Sequence, residues 1–370
     1  MTSSSHRTLR RLVGLLLLLA ICVPSQAGGG FKRAWKKFNE WLEKGQYEGI
    51  DTAYIQVPRL NRQIYLGGYA YWQSYRMDMP VHLEDVAEGY NFNGTYHQKA
   101  HSWQAEVDLG IDWKGLAVEL PIPVRNKYSF SIGLAKNGSV WGARFRYKNL
   151  RRMDGTCTID EYPIDESSNS IKTFYIEGYY ILMPKKFSIG AGLFADMIQR
   201  RSAGSPLIYA NYYHSRYRVE QFFPANFDSF RTNQISLGAG YAYNLSFLRG
   251  RLVFHASVVP MFTFYNNLKH MVGYDDNFFT TISQDPNAKE AAKAASGLTD
   301  EQWNDFYRPA EQGSARFRVN AFARFAANYS FDRFIVTLLC NYRHYGYSND
   351  LDLKILNQEA DIQLNFCTRF

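Results

Sequence analysis

Acidic and basic side chains recur at every second residue in several long runs of the sequence. Residues two apart lie on the same face of a β-strand, so each run would line one surface with charge. Arg144, Arg146 and Lys148 form one such set, and Glu106 with Asp108 forms another. The charged residues predicted to line a common interior are Glu106, Asp108, Glu119, Arg144, Arg146, Lys148, Glu177, Asp196, Arg316, Arg318, Arg324 and Arg343.

Two kinds of behaviour fit charged walls of this type. Acid facing base across an open pore sets up a transverse field that selects small polar solutes. In a narrow interior, the same charges instead pair with one another and fill the space. We favour the filled or nearly closed interior, because a sheet of about twelve strands encloses only a narrow lumen.

The histidines and serines are placed poorly for hydrolysis of membrane lipid. That reaction needs an outward histidine beside an outward serine on a neighbouring strand. His344 points outward by parity but has no such serine beside it, and His255 and Ser257 both point inward. His97 and His101 are four residues apart, but in a loop or a strand this spacing does not form a metal-binding face. We therefore predict no enzymatic activity, no metal and no cofactor, with a lipid hydrolase as an alternative.

The elements that position these charges are long strands with a two-residue period. From Ser102 to Trp113, apolar and polar residues alternate, and Trp103 and Trp113 stand at the two ends of the apolar set. Their separation of ten residues is about 33 Å along a strand. A tilt of about 40° reduces this to about 25 Å, the height of the apolar band of a transmembrane barrel. The pattern predicts an all-β fold, a transmembrane antiparallel up-and-down β-barrel, with a short N-terminal amphipathic helix.

About twelve strands account for the alternating segments. Their predicted spans are 62–78, 101–112, 115–121, 128–136, 139–151, 171–182, 187–201, 232–246, 251–265, 315–330, 333–347 and 356–370. Tight turns mostly alternate with long polar connections, as expected of periplasmic turns and external loops. Lys185 is therefore expected in a periplasmic turn and Gly204 in an external loop. The region 115–136 is the least regular, because Pro121 and Pro123 shorten one strand.

The N-terminal residues are predicted to be a signal peptide. Three arginines precede the apolar run 12–23, which is too short for a transmembrane helix, and small residues before Ala27 resemble a cleavage site. A lipoprotein signal at Cys22 is the less favoured alternative. Residues 28–50 predict a periplasmic amphipathic helix that caps the barrel end or, as a second choice, anchors on anionic headgroups. The predicted organisation is a signal peptide at 1–27, this helix at 28–50 and the barrel at 51–370.

Composition narrows the possible functions. The net charge of +8 falls to +5 without the three signal arginines, which is not the strongly basic balance of a nucleic-acid-binding protein. Aromatic residues make up 16% of the chain, and barrels concentrate aromatics at both membrane interfaces. Cysteines are too sparse for a disulfide scaffold. By parity, Cys340 and Cys367 lie on opposite faces of the sheet, so no disulfide is expected between them.

The end of the chain carries a pattern typical of outer-membrane strands. Ile362, Leu364, Phe366 and the terminal Phe370 form the apolar set of the last strand. This set resembles the C-terminal signal that the barrel-assembly machinery recognises, with Phe366 and Phe370 as the assembly residues. The resemblance implies secretion to the outer membrane of a Gram-negative cell and implies that machinery as a partner.

Three short motifs resemble the uncharacterised Gram-negative barrel family called domain of unknown function 4421. They are Asp51–Ile55 before the first strand, Gly110–Gly115 at the first tight turn and Phe145–Lys148 within a strand. The resemblance is expected to cover about 51–370. It implies an outer-membrane barrel and brings no catalytic residues.

The function predicted from these features is a narrow or closed channel or a structural surface protein of the outer membrane. The expected partners are outer-membrane lipid and the assembly machinery, with a small polar solute or surface glycan as further candidates and no nucleic acid. The aromatic segment 208–230 permits glycan stacking, although strand extension above the membrane is preferred. An outer-membrane lipid hydrolase and a soluble secreted glycan-binding β-sandwich remain the alternatives.

Overall fold

A single closed sheet dominates the protein. A computed structural model describes residues 29–47, 49–60, 62–84, 91–122, 129–220, 227–273, 316, 318–350 and 352–370. Within them, twelve antiparallel strands form a closed barrel in which each strand pairs with its neighbours in the chain, and the last pairs with the first. The predicted up-and-down β-barrel is confirmed, and the β-sandwich is ruled out because the strands form one closed sheet. The predicted signal peptide lies outside the described residues.

The barrel strands run from Arg62 to Arg369. They are β2 (Arg62–Glu84), β3 (Asn91–Trp113), β4 (Leu116–Ile122), β5 (Ser129–Asn137), β6 (Trp141–Ile159), β7 (Tyr162–Ile181), β9 (Ala203–Glu220), β10 (Phe227–Phe247), β11 (Leu252–Gly273), β12 (Arg318–Phe331), β13 (Phe334–Ser348) and β14 (Lys354–Arg369). Two short strands, β1 (Ile55–Gln56) and β8 (Ile198–Gln199), pair with each other in a separate sheet. The helices are α1 (Gly29–Tyr47), α2 (Ile189–Leu193) and a 3-10 turn at Leu248–Gly250.

The barrel wall is apolar outside and polar inside. On β14, Ile362 and Phe366 are 50% and 59% exposed, whereas Asp361 and Gln363 are buried. A strict two-residue period produces this division, because successive side chains of a strand point to opposite faces. An exposed apolar face around a closed sheet suits contact with lipid. Cys340 and Cys367 are both free, as expected from their opposite parity.

The strands β4 and β5 form a short hairpin within the wall. Beyond it, β3 pairs directly with β6, from Tyr96 opposite Ile159 to His101 opposite Asp154. The barrel is therefore narrower above this hairpin than below it. This local geometry explains why the region 115–136 is the least regular part of the alternating pattern.

The predicted strand 187–201 is wrong. This segment lies between β7 and β9 and contains α2, and Phe187, Ser188 and all of α2 are buried. A wall strand would expose every second residue, whereas residues 187–193 are all buried because the segment folds into the barrel as a plug. The wall strand is instead β9, with Pro206 at an outward position. We call residues 183–202 the plug.

The placement of β9 also reverses one topological expectation. Gly204 lies opposite Tyr243 near the end of β10 that leads into the turn Leu248–Gly250. That end of the barrel carries the start of β2, the end of β14 and four short turns, and we call it the plug end. Gly204 and Lys185 therefore lie at the same end of the barrel, whereas the sequence predicted them at opposite ends.

The helix α1 covers the plug end of the barrel. Leu42 and Gln46 are buried against it, and the Trp35 ring lies 4.7 Å from the Trp113 ring, measured between centroids. Lys114 donates to Asn39 at 2.6 Å. This position agrees with the capping interpretation of the helix. In the part of the chain that the structure describes, no helix combines the length and the apolar character needed to cross a membrane.

Candidate functional site

Arg343 on β13 is the centre of the barrel interior. Its Nε lies 3.1 Å from Glu177 Oε1, and its Nη1 lies 3.0 Å from Asp361 Oδ2. Asp361 is on the adjacent strand β14. Glu177 is on β7, which is five strands away around the wall in one direction and seven in the other. The contact between Arg343 and Glu177 therefore joins nearly opposite walls, and it closes the lumen at that level.

Neighbouring groups complete the hydrogen bonding of the two carboxylates. Arg324 Nη2 lies 3.4 Å from Glu177 Oε2. Asn341 accepts from Arg324 Nε and donates to Asp361 Oδ1, each at 2.6 Å. Each carboxylate oxygen therefore has a donor, which a buried charge requires to offset the loss of hydration. We call Glu177, Arg324, Asn341, Arg343 and Asp361 the central network.

Two further ion-pair groups lie on the β6 side of the interior. Glu119 Oε1 is 3.5 Å from Arg144 Nη2, and the other oxygen of Glu119 pairs with Arg146. Lys148 Nζ is 3.1 Å from Glu359 Oε2 on β14, again between strands that are five apart around the barrel. All of these side chains are buried. The ion pairs therefore occupy the space between facing walls of the barrel.

Stacked tyrosines close the barrel nearer to the end opposite the plug. At this level β3 pairs directly with β6, so Tyr75 on β2 and Tyr217 on β9 stand four strands apart in one direction and six in the other, yet their ring centroids are 3.7 Å apart. Tyr213 and Tyr345 stack in the same way at 3.8 Å. Tyr213 and Tyr217 belong to the aromatic segment 208–230, but none of the four tyrosines was predicted to line the interior. Their inward parity was visible, because Tyr75 shares the parity of the polar residue Gln73.

The structure distributes the predicted interior residues among three places. Buried and pointing inward from strands are Glu106, Asp108, Glu119, Arg144, Arg146, Lys148, Glu177, Arg324 and Arg343. Asp196 is also buried, but in the plug and not on a strand. Arg316 and Arg318 are exposed at the rim of the barrel opposite the plug, so their assignment to an interior wall is wrong.

The rim position of these two arginines has a simple cause. β12 begins only at Arg318, and its pairing with β13 begins at Ala321. On its other side, Arg318 stands opposite Thr263 as the last paired residue between β12 and β11. Both arginines therefore lie where the wall ends. Arg316 Nη1 lies 3.1 Å from Asp352 Oδ1, with both side chains more than half exposed, and Arg318 Nε donates to Ser348 Oγ at 2.8 Å.

Wall side chains and one residue of α1 hold the plug inside the end of the barrel. Asn244 Nδ2 donates to the Ser188 carbonyl at 2.7 Å, and Gln63 Nε2 donates to the Ala195 carbonyl at 3.1 Å. Gln46 of α1 donates to Asp196 Oδ2 at 3.1 Å. Burial raises the pKa of Asp196 to about 6, although the positive charge of Lys136 and the Gln46 hydrogen bond act in the opposite direction.

His255, Ser257 and Asn244 form a connected group beneath the plug. Asn244 Nδ2 donates to the plug, so its Oδ1 accepts from His255 Nδ1 at 2.8 Å. His255 Nε2 then accepts from Ser257 Oγ at 3.2 Å. This is the tautomer that a serine nucleophile requires. However, Phe187 of the plug stacks on the His255 ring at 6.3 Å, and all three side chains of the group are buried.

Among the described residues, no group of three or more His, Cys, Asp or Glu side chains could hold a metal ion. Phe366 and the terminal Phe370 are 59% and 50% exposed on the outer face. Their recognition by the assembly machinery stays a prediction.

A family model matches residues 147–370, which is more than half of the chain. It describes a domain of unknown function, DUF4421. The chain belongs to the DUF4421 family. The match begins within β6, so the motifs Asp51–Ile55 and Gly110–Gly115 lie outside the matched residues of this DUF4421 chain. The resemblance is confirmed over a shorter range than the expected 51–370.

Several solved outer-membrane barrels are similar to the DUF4421 chain in fold. The outer-membrane protease OmpT of Escherichia coli has a TM-score of 0.42 and 9% identity, with 83% of this chain and 97% of that chain covered. The translocator domain of the autotransporter NalP of Neisseria meningitidis has a TM-score of 0.34 and 8% identity, with 92% and 98% covered. Likeness at this level carries no argument about activity. No curated protein matches the chain.

Proposed function

We propose that this protein is a closed, non-conducting β-barrel of the outer membrane that serves as a structural surface protein, and that it is not an enzyme. The observation that carries the proposal is the contact of 3.1 Å between Arg343 and Glu177, which stand on nearly opposite walls. The stacked rings of Tyr75 and Tyr217 support closure at a second level. The plug supports closure at the periplasmic end.

The outer-membrane location is supported by the outer face and by the chain end. Large apolar side chains are exposed around the closed wall, as Val258 at 60% and Phe366 at 59% illustrate. Lipid is the environment in which such a face is stable. In this proposal the barrel-assembly machinery inserts the protein by recognising the last strand, which ends at Phe370.

Planar-bilayer recording of the refolded protein tests the closure. We expect no unitary current steps in the wild type, because an ion path would have to pass between side chains that touch. Replacing both Glu177 and Arg343 with alanine removes the central contact from both sides and should produce steps or flickering current. Replacing the exposed Arg316 with alanine is the control and should not. Regular current steps from the wild type would refute the closed barrel.

A lipid hydrolase remains the second candidate because Ser257, His255 and Asn244 have the connectivity of a nucleophile, a base and an orienting group. The group faces the interior beneath Phe187, which argues for a structural role in holding the plug. A fluorophosphonate probe, which labels activated serines, should leave Ser257 unmodified in the folded protein. Labelling that is lost in a Ser257→Ala variant would establish the enzyme instead.

A further inference from the structure

Four basic residues form a continuous row across the outer face of the barrel. In the pairing of the strands, Lys172 on β7 stands opposite Arg216 on β9, and Arg216 stands opposite Arg231 on β10. Arg231 in turn stands opposite Lys269 on β11. Strands are about 4.8 Å apart, so the row is about 14 Å long. We call these four residues the basic row.

The side chains of the basic row point away from the barrel interior. Their chain neighbours Ile171, Tyr217, Phe230 and Leu268 are each at most 2% exposed and point inward. Lys172 and Lys269 are exposed, and the two central arginines are half-buried. The row is therefore a feature of the outer surface and is separate from the central network.

Four like charges in register destabilise a sheet unless an anion offsets them. Among the residues that the structure describes, none of the four forms an ion pair with an acidic side chain. Arg216 Nε has only Ser229 Oγ at 3.4 Å. Arg231 Nε is shielded from water and has no hydrogen-bond partner among the described residues. The row thus presents donors that point to an anionic ligand.

The basic row lies at one edge of the apolar band. On β7 the outward residues from Phe174 to Leu182 are mostly apolar, and Lys172 is the next outward position beyond Phe174. Lys172 and Leu182 are ten residues apart, which is about 33 Å along the strand and about 25 Å along the membrane normal at a tilt of about 40°. Leu182 is at the plug end, so the row marks the opposite interface, which is the external one.

The residues between the row and the band have the chemistry of an interface. The Phe174 and Tyr212 rings contact each other with 6.0 Å between their centroids. Tyr212 donates its hydroxyl to Asn233 Oδ1 at 3.0 Å, and His214 Nδ1 lies 2.8 Å from the same oxygen. Aromatic rings followed by amide and imidazole groups match the change from acyl chain to headgroup.

We infer that the basic row binds the phosphate groups of lipid A, the phosphorylated glycolipid of the external leaflet. Guanidinium groups bind phosphate through paired hydrogen bonds. Lipid A carries a phosphate at each end of a disaccharide, and a row of four strands is wide enough to meet both. The aromatic side chains below the row would contact the acyl chains. This inference rests on the proposed outer-membrane location.

A second basic site on the outer face serves as a comparison. Arg76 on β2 stands opposite Lys99 on β3, but Arg76 Nε is already 3.1 Å from Asp78 Oδ2. The internal carboxylate lowers the attraction of that site for phosphate. The basic row differs because no described carboxylate neutralises its arginines.

Native mass spectrometry of the folded protein in detergent tests the inference with three probes: lipid A, lipid A without its phosphates, and inorganic phosphate. The variant Arg216→Gln/Arg231→Gln should bind lipid A about tenfold more weakly than the wild type, because both central guanidinium groups are lost. Dephosphorylated lipid A should bind the two proteins equally. The variant Arg249→Gln/Arg251→Gln removes the same charge at the periplasmic turn and should behave as the wild type.

Heat-modifiable gel migration checks that each variant is folded. If the arginine variant does not fold, Lys172→Gln/Lys269→Gln changes only the exposed ends of the row and should still weaken lipid A binding. Equal binding of lipid A by the wild type and a folded row variant would overturn the inference, as would displacement of lipid A by inorganic phosphate at equal concentration. Membrane fractionation separately tests the location, so a protein found outside the outer membrane would refute the proposed location and not the binding chemistry.

Discussion

Replacing Arg343 with methionine tests the central network most directly. The side chain is 0% exposed and contacts Glu177 at 3.1 Å and Asp361 at 3.0 Å. Methionine fills similar space without charge. After the change, Glu177 keeps Arg324 at 3.4 Å, and Asp361 keeps the hydrogen bond from Asn341. Each carboxylate therefore loses one of its two strong donors while it remains buried.

The expected loss of stability follows from that burial. Removing one partner of a buried ion pair costs about 3–5 kcal/mol, because the remaining charge is left without compensation. Arg343 pairs with two carboxylates, which increases the loss of stability when it is removed. Glu177 and Asp361 each keep one other contact, which decreases that loss. We therefore expect Arg343→Met to lower the free energy of unfolding by about 3–5 kcal/mol.

Arg316 provides a matched control. Its distance to Asp352 is 3.1 Å, the same as that from Arg343 to Glu177, but its side chain is 53% exposed and that of Asp352 is 64% exposed. Solvent screens such a pair, so Arg316→Met should cost about 0–1 kcal/mol. The two variants differ in burial and not in the distance of the pair.

Urea unfolding in detergent micelles, followed by tryptophan fluorescence and by heat-modifiable gel migration, measures both variants. A double variant with Asp361→Asn added to Arg343→Met should recover much of the lost stability, because Glu177 keeps its ion pair with Arg324 at 3.4 Å and residue 361 no longer carries a charge. Equal effects of Arg343→Met and Arg316→Met would refute the reasoning. So would a double variant that is less stable than Arg343→Met alone.

Three other predictions concern the plug and the chain end. A Cβ at Gly192 would lie 2.7 Å from His255 Nδ1, so Gly192→Val should displace the plug and speed trypsin cleavage near Lys185. Gly178 has open space around it, so Gly178→Val should not speed this cleavage. Burial raises the pKa of Asp196 from 3.8 to about 6, so ionisation of this carboxyl destabilises its buried position in the plug. The resistance of the plug to trypsin should therefore fall as pH rises from about 4 to about 6. The variant Asp196→Asn should remove that pH dependence. Phe370→Asp should lower the membrane yield more than an aspartate at Phe331, which is similarly exposed, and equal yields would contradict an assembly signal.

The sequence was sufficient to predict the class of fold and the faces of most strands. A strand has a period of two, so apolar and polar residues sort to opposite faces without knowledge of their neighbours. For this reason Arg146 and Glu177 were predicted to be interior, and they are buried. The same parity placed Cys340 and Cys367 on opposite faces. These features depend only on residues that are close along the chain.

Three other features were decided only by the tertiary structure. Residues 187–193 of the plug alternate like a strand but are all buried. Gly192 allows the backbone to approach the wall side chains Asn244 and His255 closely, and Gly190 leaves room for Asp196 of the plug itself. Arg316 and Arg318 have interior parity, yet they lie beyond the residues of β12 that pair with β13. The contact between Arg343 and Glu177 depends on how the sheet closes, and the alignment of Lys172 with Lys269 depends on the register of four adjacent strands. The parity of a residue determines which face of the sheet its side chain lies on. Its partner along the wall depends on strand register, and its partner across the lumen depends on closure of the sheet, and both involve residues far apart in the chain.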